Sequence, residues 1–428
     1  MGKMGWVTLL ALATRNLLRN RRRTAIALAA LVVGVGAMVV LRGLVNGQQQ
    51  VILENVVQGQ LGAVQVHREG YLANVQGSPL TLDMEDSEAL RQRIAAVPGV
   101  LGVSPRLAFG GMLSMPEPEG AADSEPRTTF LQLLAFDPAL EPRVTPKRMT
   151  WMGEGAFLSG VGAPELMLNA DLARSLGARV MDAKSPPPPE QWPALLAADR
   201  DGALNGEAVR LSGTLVSASP GDRRVGYLPL ATAQRVLRME GRITEYAVAV
   251  EPLEHAKRVR DALRASLGPG YEVHTWEEVF PFVAQILGQQ DFLFGILSTV
   301  FLAAVLLGIV NVMLMSVLER VREIGTMMAV GMRRRSIVVL FLLEGWVLGL
   351  AGGVLGAMVG GAVTWWLHQR GILLPSPGAT ADSIIRPFVP LAYVARSVVT
   401  AAVGAGLAAL WPAWRASRLR PVEALSST

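Results

Sequence analysis

The stretch LERVREIGTMMAVGMRRRS, residues 318–336, decides how the rest of the sequence is divided. It contains two acids, five arginines and three methionines, and it follows a run of 26 residues, 292–317, that carries no charge. A second, nearly uncharged run begins directly after it, at residue 337. Apolar runs of this length are typical of membrane-spanning helices. The charged stretch therefore predicts a short connection between two spans, on one side of a membrane.

Two further apolar segments fit the same pattern, residues 24–41 and 397–414. The first is about 27 Å long at 1.5 Å per residue, just enough to cross the hydrocarbon core. A cleaved signal peptide is the alternative for this segment, although no small-x-small cleavage site follows it. Arginines precede the first span and follow the second and the fourth, so the positive-inside rule places these ends in the cytoplasm. Both termini are then inside, and residues from about 43 to 290 are outside.

Helical spacing continues after the first span and begins well before the second. A helix over residues 281–318 would be about 57 Å long, nearly twice the ~30 Å hydrocarbon core. This length favours two helices that leave the bilayer as stalks; a tilted span with a separate short helix is the alternative. The external segment mixes period-2 and helical patterns, which predicts an α+β domain. Its strand-like runs are 63–67, 128–136, 245–250 and 271–276, and its helix-like runs are 86–97 and 253–268.

We therefore predict a membrane α-helical protein with four transmembrane helices and a large α+β extracytoplasmic domain inserted between helices 1 and 2. The predicted boundaries are an interfacial helix at 1–23, transmembrane helix 1 and stalk at 24–57, the α+β domain at 58–280 with a subdomain near 105–225, stalk and transmembrane helix 2 at 281–318, a cytoplasmic helix at 319–335, transmembrane helix 3 at 336–367, an outer loop at 368–390, transmembrane helix 4 at 391–414 and a cytoplasmic tail at 415–428.

Composition and motifs argue against an enzyme. Hydrophobic residues make up 51% of the chain, the net charge is +5, and there is no cysteine, which excludes disulfides and thiolate metal sites. The sequence contains no G-x-x-x-x-G-K-[ST], H-E-x-x-H or G-x-S-x-G motif. Its four histidines are scattered, at His67, His255, His274 and His368. We predict no catalytic residue, no metal site and no nucleic-acid partner.

Two features of the third apolar run need an explanation. Glu344 lies inside it, where a carboxylate is costly unless it is paired or reaches the interface. It either pairs with an arginine of the preceding stretch or extends towards the nearby membrane surface. Glycines recur four residues apart, which allows close helix packing either within the chain or between subunits. These helix-packing candidates are Gly345, Gly349, Gly352, Gly353, Gly356 and Gly360.

The opening stretch also carries apolar side chains that the rest of the cytoplasmic sequence offers no domain to bury. Ile324, Met327, Met328 and Val330 are predicted to be exposed, and flexible methionines suit an adaptable protein contact. Gly331 is a plausible helix end. We predict a short amphipathic helix that docks on a cytoplasmic partner; a helix lying on the lipid surface is the alternative.

The opening stretch, extended to LERVREIGTMMAVGMRRRSI…FLLEG, resembles the segment between the second and third spans of the FtsX-like permeases, a class that includes MacB and the lipoprotein-releasing permeases LolC and LolE. RNLLRNRRRTAI resembles the start of that family and PAWRASRLRPVEAL its end. GAVQVHREGY, ADLARSLGA, GYLPLATAQRVL and YEVHTWEEVFP look more like the LolC/LolE branch.

The resemblance implies a bacterial inner-membrane permease that works as a dimer, with a second copy or a paralogue. Two copies of a separate cytoplasmic ATPase would bind ATP and magnesium, leaving no cofactor on this chain. In the LolC/LolE branch the cargo is a lipoprotein, passed to a periplasmic carrier; MacB-like export of small molecules or peptides and FtsX-like control of cell-wall hydrolases are the alternatives. The implied ATPase-coupling residues are Glu319, Arg320, Arg322, Glu323, Ile324, Met327, Met328 and Gly331.

Overall fold

A computed structural model of the chain describes residues 6–19, 21–77, 79–116, 127–181, 187–216, 222–374 and 382–418. The chain divides into two compact units. A helical unit comprises residues 1–49, 287–372 and 385–428, and an α+β unit comprises 50–286 and 373–384. Most of the predicted tail, 415–428, lies outside the described residues.

The described residues form α-helices that range from single turns to more than ten turns. Their bounds are α1 Trp6–Arg19, α2 Arg21–Leu53, α3 Glu88–Ala95, α4 Glu141–Val144, α5 Pro146–Met149, α6 Ala170–Leu176, α7 Leu230–Leu237, α8 Ala256–Leu267, α9 Trp276–Val279, α10 Pro281–Glu319, α11 Val321–Ala329, α12 Arg334–Arg370, α13 Leu391–Ala408 and α14 Leu410–Ser417. A π-helical segment, Glu54–Leu61, follows α2 directly.

Four helical stretches in the described part of the chain are long and apolar enough to cross a membrane. They are Arg21–Leu61, Pro281–Glu319, Arg334–Arg370 and Leu391–Ser417. The second is one unbroken helix of 39 residues, as the stalk hypothesis expects. The fourth is interrupted at Ala409, because Pro412 has no N–H to bond the carbonyl of Ala408 and its ring crowds that carbonyl.

The glycines of α12 lie in two rows that face two different helices of the same chain. Gly345, Gly349 and Gly353 pack on α13: a Cβ added at Gly349 would lie 2.7 Å from the carbonyl oxygen of Ala401. The second row, Gly352, Gly356 and Gly360, packs on α2. A Cβ at Gly360 would lie 2.6 Å from the carbonyl oxygen of Gly36. Both rows therefore serve close packing inside the helical unit, the first of the two alternatives, and α12 is its central helix.

The strands belong to one large sheet and two short ribbons. Their bounds are β1 Val64–Arg68, β2 Met84–Glu85, β3 Val100–Ser114, β4 Thr128–Phe136, β5 Met152–Gly155, β6 Glu165–Asn169, β7 Ala194–Ala198, β8 Leu204–Ala208, β9 Arg210–Leu215, β10 Val225–Pro229, β11 Arg242–Ile243, β12 Glu245–Val250, β13 Tyr271–Thr275, β14 Ile372–Leu374 and β15 Ser383–Ile385.

The large sheet is mixed and has the order β13-β1-β12-β3-β4-β10-β6-β9-β5, with β7 pairing β3 and β8. β3 is its longest strand, with 15 residues, and pairs antiparallel with both β12 and β4. The region near 105–225, predicted as a subdomain, supplies most of these strands to the same sheet. Phe136, Trp151, Met167 and Tyr227 form part of the apolar core beside it.

The glycine rows make a testable prediction about Gly360. Gly360→Ala should lower the unfolding temperature of the full chain in detergent, because overpacking typically costs about 1–3 kcal/mol. Gly361→Ala is the matched control, since a Cβ there meets nothing within 4 Å. Alanine favours a helix over glycine by about 1 kcal/mol, so the control should be as stable as the parent or more stable. Equal shifts in both variants would contradict the packing account.

Candidate functional site

Glu344 lies in α12 and is buried against two other parts of the helical unit. Only 2% of its surface is exposed, and its Oε1 accepts a hydrogen bond of 2.6 Å from Nδ2 of Asn16 in α1. Arg320, at the junction of α10 and α11, places Nη1 3.4 Å from the same oxygen. Its Nη2 donates to the backbone oxygen of Asn16 at 3.0 Å. We call Asn16, Arg320 and Glu344 the helix cluster.

The helix cluster decides between the two hypotheses for Glu344. The side chain does not extend to a surface; it pairs with an arginine of the 318–336 stretch, and Arg320 itself is only 7% exposed. Two opposite charges removed from water stabilise one another only when their remaining hydrogen bonds are also made. The amide and carbonyl of Asn16 supply these bonds, and α1, α12 and the α10–α11 junction are thereby held together.

Two exposed ion pairs lie beside the helix cluster. Arg19 of α1 pairs with Glu323, and Arg23 at the start of α2 pairs with Glu319. These two ion pairs involve both acids of residues 318–336. Exposed ion pairs each contribute only about 0–1 kcal/mol to the free energy of unfolding. They orient α11 relative to α1 and α2 more than they stabilise it.

The prediction that the apolar residues of the stretch are all exposed is wrong for Ile324. This side chain is fully buried, in a cluster that includes Val317, Phe341, Ala413 and Ala416. Met327 and Met328 are partly buried against the same cluster. The sequence reasoning failed because it did not foresee that α14 and the adjoining ends of α10 and α12 would cover α11.

The opposite face of α11 remains uncovered. Its exposed residues recur at helical spacing, and Val330 is 82% exposed. Residues three and four apart lie on one side of a helix, so these residues form a single surface row. We call this row the outer stripe; it consists of Arg322, Thr326, Ala329 and Val330.

Gly331 ends α11 with a defined turn. Its φ of +97° lies in the left-handed region, where a side chain would be strained. Its N–H donates to the carbonyl of Met328 and the N–H of Met332 donates to that of Met327, the two bonds of a Schellman motif. The angle between α11 and the start of α12 is therefore set by backbone hydrogen bonds.

A second buried ionic group, which the sequence reasoning missed, lies in the α+β unit. Arg106 of β3 donates through Nη2 to Glu141 at 2.6 Å, and Arg148 donates through Nη1 to the same carboxylate oxygen at 2.7 Å. Each of the three side chains is 1% exposed. We call Arg106, Glu141 and Arg148 the sheet cluster. A single charged residue inside the otherwise uncharged segment 103–109 was the signal that could have revealed it.

The sheet cluster also binds the end of the π-helical segment. Arg148 donates to the carbonyl oxygens of Gly59 and Gln60 at 3.0 and 3.1 Å, and Arg106 donates to that of Leu61 at 3.1 Å. Terminal carbonyls have no partner within their own helix. Two cations therefore satisfy the last three carbonyls of this segment and attach them to the sheet.

The charge state of Glu141 follows from its neighbours. Burial alone would raise its pKa, but the positive charges of Arg106 and Arg148 outweigh that effect and lower the pKa to about 2. Burial lowers the pKa of His67, which stacks on Tyr71 at 4.5 Å. Within the described ranges, no group of three or more acids and histidines could hold a metal ion.

Comparison with known proteins gives this architecture a family. A family model described as the MacB-like periplasmic core domain matches residues 24–266, more than half of the chain. The chain belongs to this family. A second model, the FtsX-like permease C-terminal, matches residues 295–421, including α11 and the outer stripe. The resemblance to FtsX-like permeases is confirmed.

Individual relatives of the chain carry more than one kind of name. The macrolide export ATP-binding/permease protein MacB of Hyphomonas neptunium is 25% identical over 440 residues, covering 97% of this chain and 60% of its own. The lipoprotein-releasing system transmembrane protein LolC of Xylella fastidiosa is 25% identical over 219 residues, 48% of this chain and 51% of its own. The chain thus spans about three fifths of the length of that MacB relative.

A solved structure also matches part of the chain. The periplasmic region of MacB from Actinobacillus actinomycetemcomitans is 11% identical to it, with a TM-score of 0.35. The match covers 55% of this chain and 98% of that one.

The helix cluster predicts a strong dependence on Arg320. Arg320→Met would leave Glu344 buried without a counter-charge, which should destabilise the chain by about 3–5 kcal/mol. Arg320→Met combined with Glu344→Met should be more stable than Arg320→Met alone. Glu319→Gln is the control, because Glu319 is 45% exposed and its pair with Arg23 should contribute less than about 1 kcal/mol. Thermal unfolding of the full chain in detergent is measured for the parent, these variants and Glu344→Met alone. No coupling in the cycle formed by the parent, the two single methionine variants and the double variant would refute the pairing.

The sheet cluster predicts a pH dependence. Because the folded pKa of Glu141 is about 2, below its usual 4.5, its stabilising effect is complete above about pH 4.5 and is lost as the pH falls towards 2. This shift corresponds to about 3 kcal/mol. Glu141→Gln should be less stable at pH 7 and lose less stability between pH 4.5 and 2, in urea denaturation of the full chain followed by circular dichroism. Glu254→Gln, at an exposed position of the same unit, should follow the parent curve.

Proposed function

We propose that the chain is the permease subunit of an ABC-type complex that couples ATP hydrolysis on a partner chain to work outside the cytoplasm. The observation that carries this proposal is α11, a short helix between two long apolar helices, supported from within and uncovered along the outer stripe. Membership of the MacB-like family supports it. No residue of this chain is assigned a catalytic role, and ATP and magnesium would be bound by the partner ATPase.

The proposed location is a bacterial inner membrane, with the four candidate spans crossing it. Arginines at the start of α2, at the start of α12 and in α14 favour a cytoplasmic position for these ends and for both termini. The α+β unit would then be periplasmic. The proposed boundaries between spans, loops and the external domain are those predicted from the sequence, with α11 as the cytoplasmic coupling helix.

The contacts of α11 support its role as the coupling element. The helix cluster and the two exposed ion pairs connect it to α1, α2 and α12, so a partner that moves α11 would move these helices with it. In the α+β unit, the sheet cluster attaches the π-helical segment to β3 and α5, so displacement of that segment would be transmitted to the sheet. The proposed assembly contains two permeases, either two copies or paralogues, and two ATPase subunits.

For the cargo we propose a lipoprotein, released to a periplasmic carrier. The external sequence segments that resemble the LolC/LolE branch support this choice, as does the LolC relative. The MacB relative favours a second candidate, export of a small molecule or peptide. With either cargo, the described part of this chain would act by transmitting conformational change from the ATPase.

The outer stripe generates the central prediction. Val330→Glu should weaken ATPase binding roughly 30-fold, because a buried uncompensated charge in an interface costs about 2 kcal/mol. Leu204→Glu is the matched control: it makes the same change at a residue that is 66% exposed in the α+β unit. The measurements are recovery of a P-loop ATPase with the tagged chain in mild detergent and the ATPase rate of the complex. Unchanged binding by Val330→Glu, or recovery of no ATPase with the parent chain, would refute the proposal.

A charge swap in the same assay separates two roles of Glu323. If Glu323 acts by pairing with Arg19, Glu323→Arg should weaken coupling and the double variant Arg19→Glu, Glu323→Arg should restore it. If Glu323 contacts the ATPase directly, the swap should not restore it.

Addition of cargo to the reconstituted complex distinguishes the candidate functions. A purified lipoprotein should stimulate ATP hydrolysis if lipoprotein is the cargo, whereas a macrolide should do so if the chain serves small-molecule export. Stimulation by neither, with a normal ATPase partner, would favour FtsX-like control of a cell-wall hydrolase.

A further inference from the structure

A cavity of about 370 Å³ opens between α2, α10 and α13, entirely within the helical unit. Charged and apolar side chains line different parts of its wall. Arg42, Asp291 and Arg396 line one part, and Val35, Leu302 and Ala401 line another. This cavity belongs to neither the outer stripe nor the two ionic clusters.

The charged and apolar parts lie at different depths along the helices. In α2 the charged residue Arg42 comes seven positions after Val35, which is about 10 Å at 1.5 Å per residue. In α10 and α13 the charged residue comes before the apolar one, and these helices run in the opposite chain direction. All three charged residues therefore gather at one end of the cavity, at the boundary of the apolar runs, and the apolar residues lie deeper.

The charged end has one positive charge more than it has negative charges. Arg42 is neutralised by Asp291, with its Nη1 2.7 Å from Oδ1. Arg396 lies 5.2 Å from the ring of Tyr393, a cation–π contact that carries no negative charge. Among the described residues, no acid lies within ion-pair distance of Arg396. The cavity is therefore electrostatically complementary to a single anion.

One hydroxyl group at the cavity also lacks a partner. The Oγ of Ser298 is buried and makes no hydrogen bond within the described part of the chain. Two nearby hydroxyls have partners, since Thr299 donates to the carbonyl of Gly295 and Ser397 donates to that of Tyr393. A buried hydroxyl without a partner is costly, and a ligand oxygen would satisfy it.

We propose that this cavity binds the headgroup of an anionic phospholipid, with the phosphate held by Arg396 and the glycerol end over the apolar part. Charge-assisted bonds from a guanidinium to phosphate oxygens are strong and geometrically specific. An amphiphile matches a cavity that is charged at the level of the interface and, below it, is lined by apolar side chains with the hydroxyls of Ser298, Thr299 and Thr400 among them. The volume suits a headgroup and glycerol, with the acyl chains outside. The inference rests on the membrane location in the proposed function.

The test uses the full chain in mild detergent and native mass spectrometry with added phosphatidylglycerol. Arg396→Gln should raise the Kd of the lipid about tenfold, and Arg396→Lys, which keeps the charge, should raise it less. Arg370→Gln is the matched control: it removes an arginine from the end of α12, where Arg370 stacks on Trp366 at 4.5 Å outside the cavity, and should leave the Kd unchanged. Phosphatidylcholine, without net charge, should bind more weakly to the parent chain.

Three results would overturn the proposal. One is an unchanged Kd for Arg396→Gln, and another is an equal loss in Arg370→Gln. The third is displacement of the lipid by millimolar inorganic phosphate that itself remains bound, which would make the cavity a site for free phosphate. Failure of the proposed function is distinguishable, because a chain that does not insert in membranes would be recovered in the soluble fraction and retain no lipid in any variant.

Discussion

The pairing of Glu344 with Arg320 is the interaction on which the helical unit depends. Neither charge could be buried alone, and Asn16 supplies the hydrogen bonds that complete the arrangement. The three residues come from different helical segments, so their contacts fix the positions of α1, α12 and the start of α11 relative to one another. The glycine rows of α12 then allow α2 and α13 to approach closely enough for the apolar packing around them.

Local patterns predicted much of this architecture. The four long apolar helices follow from uncharged runs, and β1, β4, β12 and β13 coincide with the runs read as strands. α3 and α8 were visible from their helical periodicity. β3 was missed, because Pro105, Arg106 and the pair Gly110–Gly111 obscure the alternation of a strand. Antiparallel pairing with β12 on one side and β4 on the other holds β3 in the sheet, although its own sequence does not alternate regularly.

For the candidate site, the sequence predicted the important segment, 318–336, more accurately than it predicted which side chains of that segment are exposed. Glu344 could be identified as needing a partner, since a carboxylate in an apolar run is costly wherever it lies. That Arg320, rather than another arginine of the stretch, would be the partner depends on the turn between α10 and α11. The burial of Ile324 depends on α14, and the sheet cluster depends on contacts between Arg106 and residues more than 30 positions away. Such long-range pairings leave no periodic signal.

The cover over Ile324 has a consequence for biosynthesis. Ala413 and Ala416, which belong to the same buried cluster, lie far along the chain from Ile324 and are synthesised well after α11. Until they arrive, the inner face of α11 lacks the part of its apolar support that α14 supplies, and only α10 and α12 cover it. The inner packing of α11 is therefore complete only after translation has passed α14, so the contact proposed for the outer stripe would have to form after α14 has been synthesised.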